Sequence, residues 1–171
     1  MRSGRTRYVG VSNYPAWAAV HMADLLGSAI GMAGVQTEYS LLNRSAEQEL
    51  IPAAQELGFG IMGWSALGRG VLTGKYRNAT PPDSRGASVH LAGFVAPYLN
   101  DDAARVVNAV ATAAAGLERS PLEVALAWAR GSDGIDCSIV GARNTHQLRD
   151  ILAAADLQLE PQIRHVLNEV S

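Results

Sequence analysis

Short apolar runs alternate along this chain with longer stretches of helical periodicity. Arg7-Tyr8-Val9-Gly10-Val11 predicts a strand ending at Ser12-Asn13. Pro15 opens a helix to Leu26, with Trp17, Val20 and Leu25 at near-helical spacing. Gly34-Val35-Gln36-Thr37 predicts a second strand. Ser45 then reads as the cap of a helix, with Gln48 as its capping-box partner; the helix carries Leu50, Ala53, Ala54 and Leu57 and stops at Gly58. Phe59 to Trp64 predicts a third strand. A long irregular stretch follows, from Ser65 to Asn100, holding Pro81, Pro82, Pro97 and several glycines. Loops of that length are usually functional or disordered. Asp101 to Gly116 is Ala- and Val-rich and helical. Ser120-Pro121 starts a further helix, with Ser120 as cap, Pro121 in the first turn and Glu123 as box partner. Ile135 to Val140 is the fourth strand, Asn144 caps a helix to Ala155, and Pro161 to Val170 is the last.

Strands separated by helices imply parallel pairing with crossover connections. The runs are continuous rather than alternating, as expected of strands buried on both faces. Two architectures fit: an open doubly wound sheet, or part of a (β/α)8 barrel. A whole barrel takes about 250 residues, and about 200 at the least. The four βα units of these 171 residues would be half of one.

Composition narrows the class. Hydrophobic residues make up 48% and charged residues 18%, with a net charge of −2, which suits one domain with a real core. No basic run or basic-aromatic stripe is present, so nucleic acid is not an expected partner. No apolar run approaches the ~18 residues of a membrane span, and none near the N-terminus has the form of a secretion signal, so the expectation is a cytoplasmic protein with no membrane partner. Cys137 is the only cysteine, which rules out an internal disulfide; it reads as a small buried hydrophobe.

The candidate chemistry gathers where strands end: Ser12-Asn13, Gln36, Trp64-Ser65 and Gly141-Ala142-Arg143. In parallel βα folds that is the face where ligands bind. The glycine-rich segment Gly68 to Tyr76 fails both phosphate fingerprints. The dinucleotide pattern needs glycine at Thr73, and the P-loop needs glycine at Arg69 and a hydroxyl at Tyr76. With Arg69 and Lys75 it remains either a phosphate-holding loop or a flexible turn. His21, His90, His146 and His165 follow no strand, and no nucleophile triad or metal-ligand spacing is present.

Taken together, Arg7 to Asn13, Gln36 to Arg44, Gly63 to Tyr76, Pro121 to Trp128 and Val140 to Asn144 resemble the aldo-keto reductases, over nearly the whole chain and in the family's order. The likeness is greatest to the long-loop branch, which includes bacterial oxidoreductases and potassium-channel β subunits. The resemblance implies a single partial domain over residues 1–171, namely strands 5 to 8 with their helices: the C-terminal half of a (β/α)8 barrel that moves a hydride between NADPH and a small aldehyde or ketone. It implies that Ser12, Asn13 and Gln36 hold the nicotinamide carboxamide and that Trp64 stacks on its ring. Ser65, Leu67, Arg69 and Gly70 would lie beneath the pyrophosphate. Lys75 and Arg85 belong to a cofactor-covering loop, residues 65–100. Gly141 and Arg143 lie at the 2′-phosphate end and Gln147 at the adenine. The family often has Asn where Ile151 stands, so adenine binding should be weaker.

The family's catalytic Asp, Tyr, Lys and His lie on the first four βα units, and nothing here matches them; no catalytic residue is assigned. Met1 falls within a stretch that relatives continue from an upstream helix, so the chain reads as a truncated gene product or an incomplete gene model. Two functions follow: an oxidoreductase fragment carrying the cofactor half, or a non-catalytic dinucleotide-binding or interaction module, half of a two-chain barrel. Either would leave exposed half-barrel edges through which chains associate.

Overall fold

A computed structural model describes residues 3–171. Its centre is one four-stranded sheet in the order β1 (Gly10–Ser12), β2 (Gly34–Glu38), β3 (Gly60–Trp64) and β4 (Cys137–Ile139). All three pairings are parallel, as the alternation of strands and helices predicts. β1 and β4 each have one neighbour among the described residues and are its open edges.

The register sorts the side chains into two faces. Val11, Val35 and Ile61 align across the first three strands. Val35 and Ile61 are fully buried against a core that includes Ala19, Leu50, Ile51, Ala54, Ala125 and Trp128 from the helices. The other face carries Ser12, Gln36, Met62 and Cys137 in one row, and Glu38, Trp64 and Ile139 in the next. Met62 and Ile139 are exposed, and so is Cys137. Two expectations are thereby corrected: the strands are buried on one face, and Cys137 is not a core residue. The apolar runs mark side chains that no described layer covers.

A third row on the open face consists of Gly10, Gly34 and Gly60. A Cβ on Gly10 would come 2.5 Å from the carbonyl oxygen of Gly34, and one on Gly34 would come 2.7 Å from that of Gly60. Only glycine lets these backbones approach so closely. At Gly60 a Cβ would meet the Asp136 carboxylate at 3.2 Å. That carboxylate accepts from the Ile61 N–H at 2.7 Å and continues the β3–β4 pairing.

The described residues form seven α-helices: α1 (Ala16–Ile30), α2 (Leu50–Leu57), α3 (Ala92–Val95), α4 (Asp101–Gly116), α5 (Pro121–Arg130), α6 (Thr145–Ala153) and α7 (Pro161–Val170). In α1 the regular helix breaks at Gly27, whose φ is +60°, one residue beyond the expected end. Its expected stripe faces outward: Trp17 is 72% and Leu25 67% exposed, while Ala19 packs on the core. α4 buries Ala103, Val106, Val107, Val110 and Ala114, the spacing of one helical face.

Caps decide the boundaries. Ser120 and Glu123 form the expected reciprocal box, and Asn144 accepts from the Gln147 N–H at 2.9 Å. The Ser45–Gln48 box does not form. The Ser45 hydroxyl donates to Asn43 Oδ1 at 2.7 Å, residues Ser45–Glu47 make a single 3-10 turn, and α2 starts at Leu50. Pro52 explains the delay. A helix capped at Ser45 would put its ring against the Gln48 carbonyl, whereas a start at Leu50 leaves Pro52 in the first turn, where no N–H is needed. Residues 65–100 hold 3-10 segments at Gly68–Thr73, Arg85–Ala87 and Ala96–Tyr98 as well as α3. Among the described residues no helix is long and apolar enough to cross a membrane.

Candidate functional site

The strand ends build the site. β1 ends at Ser12, whose hydroxyl donates to Gln36 Oε1 on β2 at 3.2 Å. Asn13 follows with φ +58°, its N–H donating to the Gln36 carbonyl at 2.8 Å. Its side-chain oxygen accepts from the indole Nε1 of Trp64, at the end of β3, at 2.8 Å. Four residues from three strands are thus tied in one polar row.

Beyond that row lies a cleft of 530 Å³. Every sequence-named candidate except Ser12, Asn13 and Gln36 lines it: Trp64, Ser65, Leu67, Arg69, Gly70, Lys75, Arg85, Gly141, Arg143 and Gln147. Strain concentrates here. Of the four non-glycine residues with positive φ among the described residues, Asn13, Ser65 and Arg69 belong to this site. Left-handed backbone at such residues is costly and clusters where function requires it. Tight bonds hold the turn, with the Gly68 N–H donating to the Ser65 carbonyl at 2.7 Å and the Gly70 N–H to that of Leu67 at 2.9 Å.

Cations surround the cleft. Lys75 Nζ sits over Gly70, where an added Cβ would approach it to 3.2 Å, and 5.2 Å from the Tyr76 ring centroid. The Tyr76 hydroxyl accepts from the Gly86 N–H at 3.1 Å, beside Arg85. Arg143 is exposed; its N–H donates to Gln147 Oε1 at 2.9 Å and its guanidinium to the Asp83 carbonyl at 3.2 Å. The carboxylate of Asp150 also lines the cleft, 3.6 Å from His146 Nε2.

Arg69 differs from the other cations because its charge is already met. Its guanidinium grips the Glu38 carboxylate through two bonds of 2.8 and 2.6 Å and donates to the Phe94 carbonyl at 2.6 Å. It lies over the Phe94 ring at 4.2 Å and the Tyr98 ring at 4.7 Å. Glu38 stabilises the cationic form and raises its pKa, and burial raises that of Tyr98. Phe94 in turn stacks on Trp64, centroids 6.5 Å apart and planes 16° from parallel.

The sequence reading missed Glu38, Phe94, Leu122 and Asp150. Glu38 had a signal, since it lies two positions beyond Gln36 on the same strand face. Phe94 had none, because a tertiary turn of the long loop brings it to Trp64. Ile151, noted as a departure, lines the cleft.

A model of the "Aldo/keto reductase family" matches residues 1–170. The chain is similar to the "Uncharacterized oxidoreductase YrpG" of Bacillus subtilis, at 30% identity over 99% of this chain and 50% of that protein. It is 32% identical to a probable voltage-gated potassium channel subunit beta of Oryza sativa subsp. japonica, over 90% of this chain and 48% of that protein. It is 31% identical to the L-glyceraldehyde 3-phosphate reductase of Escherichia coli, over 90% and 46% respectively. The chain spans about half the length of the relatives it matches.

Proposed function

The chain belongs to the aldo/keto reductase family, and from that premise we propose that its cleft holds NADPH for the reduction of a small aldehyde or ketone. The observation that carries the reading is the continuity of the polar strand-end row with a cation-lined cleft. The donor set fits the cofactor. A carboxamide needs both a donor and an acceptor partner, and the Gln36 amide nitrogen and the Ser12 hydroxyl oxygen supply one of each. Trp64, oriented by Asn13 through its Nε1, offers a flat face to a ring. Lys75, Arg85 and Arg143 offer positive charge to phosphates, and the turn at Ser65, Leu67 and Gly70 offers backbone to a pyrophosphate. Gly141 permits close approach beside Arg143, and Gln147 lies within reach of a base. Bound there, the cofactor would supply the hydride.

The same proposal makes this sheet strands 5 to 8 of a (β/α)8 barrel. Four parallel strands in chain order, two open edges and half the length of the relatives support it. The proton donor and its partners then belong to strands 1 to 4, and this chain alone does not reduce carbonyls. Hydride transfer leaves an alkoxide, and general acid help is typically worth about 10² to 10⁴ in rate.

The test is titration of the purified chain with NADPH, read by quenching of tryptophan fluorescence, in parallel with a panel of aldehydes, ketones and quinones. Saturable quenching that disappears in Trp64→Phe, without turnover, is the expected result. Quenching unchanged in Trp64→Phe sinks the ring assignment. Robust NADPH oxidation lost in Trp64→Ala sinks the inactivity, and Tyr14, beside Asn13 and 43% exposed, is then the first donor to test.

A further inference from the structure

Arg69 stands in the cofactor cleft, yet its chemistry is turned inward. Its fork is closed on Glu38, a third N–H is given to the Phe94 carbonyl, and the guanidinium lies over the rings of both Phe94 and Tyr98. The Glu38 side chain is 10% and the Arg69 side chain 16% exposed, so water competes weakly for the pair. Phe94 then bears on Trp64, whose edge is held by Asn13. The sequence Glu38, Arg69, Phe94, Trp64, Asn13 is one connected column from β2 through the long loop to β3 and back to the end of β1.

We propose that Glu38, Arg69 and Phe94 are positioning residues that set the plane of the Trp64 indole. Arg69 is accordingly not a phosphate ligand, despite its place in the turn. An indole braced on one face presents only the other, and an edge bond at Nε1 fixes its rotation about the stacking axis. The guanidinium suits the task because it is planar and can stack on aromatic rings while forking onto a carboxylate; an ammonium cannot do both. The long loop is thereby coupled to the ring: residues Ala92–Tyr98 dock on the same cation that braces Trp64. The functional half of this proposal, that the indole's plane governs nicotinamide binding, rests on the cofactor reading above.

The experiment has two arms. The first needs no cofactor. The chain has three tryptophans, Trp17, Trp64 and Trp128, so a ¹⁵N spectrum gives three indole N–H signals, assigned with Trp64→Phe. Phe94→Ala, Arg69→Gln and Arg69→Lys should shift the Trp64 signal and speed its exchange with water. The Trp17 and Trp128 signals should stay in place, and Phe94→Tyr should preserve all three. An unmoved Trp64 signal in Phe94→Ala overturns the proposal, as does an Arg69→Lys spectrum identical to the parent's. Phe94 is 38% exposed, so its truncation tests the column even if the Arg69 variants unfold.

The second arm compares NADPH with 2′-phospho-ADP-ribose, which lacks the nicotinamide. Loss of a stacked aromatic contact should weaken NADPH by roughly two- to ten-fold in Phe94→Ala and Arg69→Gln, and leave the shorter ligand unchanged within about two-fold. Equal weakening of both by Arg69→Gln makes Arg69 a phosphate ligand and overturns the proposal. Failure of the parent chain to bind either ligand sinks the cofactor reading instead, and the indole spectra still decide whether the column exists.

Discussion

Replacing Arg143 with alanine should cost NADPH affinity and spare NADH. Arg143 follows β4 through Gly141 and Ala142, and its guanidinium spends one N–H on the Asp83 carbonyl at the long distance of 3.2 Å. A guanidinium has five N–H donors, so at least a bidentate fork remains for a phosphate. Hydrogen bonds to charged groups are worth about 1.5 to 3 kcal/mol each in favourable settings. Arg143 is exposed, so solvent reduces the pair to something near the value of one such bond. The expected loss is therefore about 10- to 100-fold in Kd for NADPH, shrinking as salt is raised. NADH lacks the 2′-phosphate and should change by less than about two-fold. Arg143→Lys should fall between, keeping charge but losing the fork. Calorimetric titration with both cofactors at two salt concentrations measures this. Equal losses for NADPH and NADH would refute the 2′-phosphate role.

Three further outcomes are expected. Trp128 is 1% exposed, stacks on Tyr39 at 5.4 Å and donates to Asn168 Oδ1 at 2.8 Å; Trp128→Ala should lower unfolding free energy by about 3 to 5 kcal/mol, and a urea midpoint within error of the parent would contradict that packing. The Arg44 guanidinium, hydrogen-bonded to Glu47, holds the Glu47 carboxyl below its ordinary range. Its contribution is thus complete above the unfolded pKa and lost as pH falls through the folded one; Glu47→Gln should flatten the acid side of a melting-temperature profile, and an unchanged slope would dismiss the pair. Light scattering during gel filtration should show self-association that grows with concentration, because β1 and β4 are unpaired edges of the sheet; a monomer at every concentration would mean that these edges are blocked.

The parallel order was legible because each strand is a short apolar run and each connection carries a stretch of helical periodicity. Ser120 and Asn144 act as local chemistry dictates, since their partners lie three residues away. Ser45 does not, because Pro52, seven residues on, sets where the helix can start. The outward Trp17 and Leu25, like Met62 and Cys137 on the open sheet face, show that periodicity marks apolar faces without saying which is covered. Of the cleft, strand ends marked Trp64, Ser65, Gly141 and Arg143, whereas Leu67, Arg69, Gly70, Lys75, Arg85 and Gln147 were legible only through the resemblance to the family. The role of Arg69 was not: nothing near it in sequence announces that Glu38 and Phe94, 31 and 25 residues away, close around it.

The row of Gly10, Gly34 and Gly60 gives this sheet a directional tolerance to mutation. At Gly10 and Gly34 even alanine collides with a neighbouring strand's backbone, which can yield only by moving a strand. At Gly60 the first atom met is a carboxylate oxygen of Asp136, 3.2 Å away, a side-chain atom that need give only a few tenths of an ångström while it keeps its bond to the Ile61 N–H. A saturation library scored for folded protein should find the first two positions closed to every residue but glycine and the third open to small ones. One row of aligned glycines would thus pass from invariant to permissive in three strands.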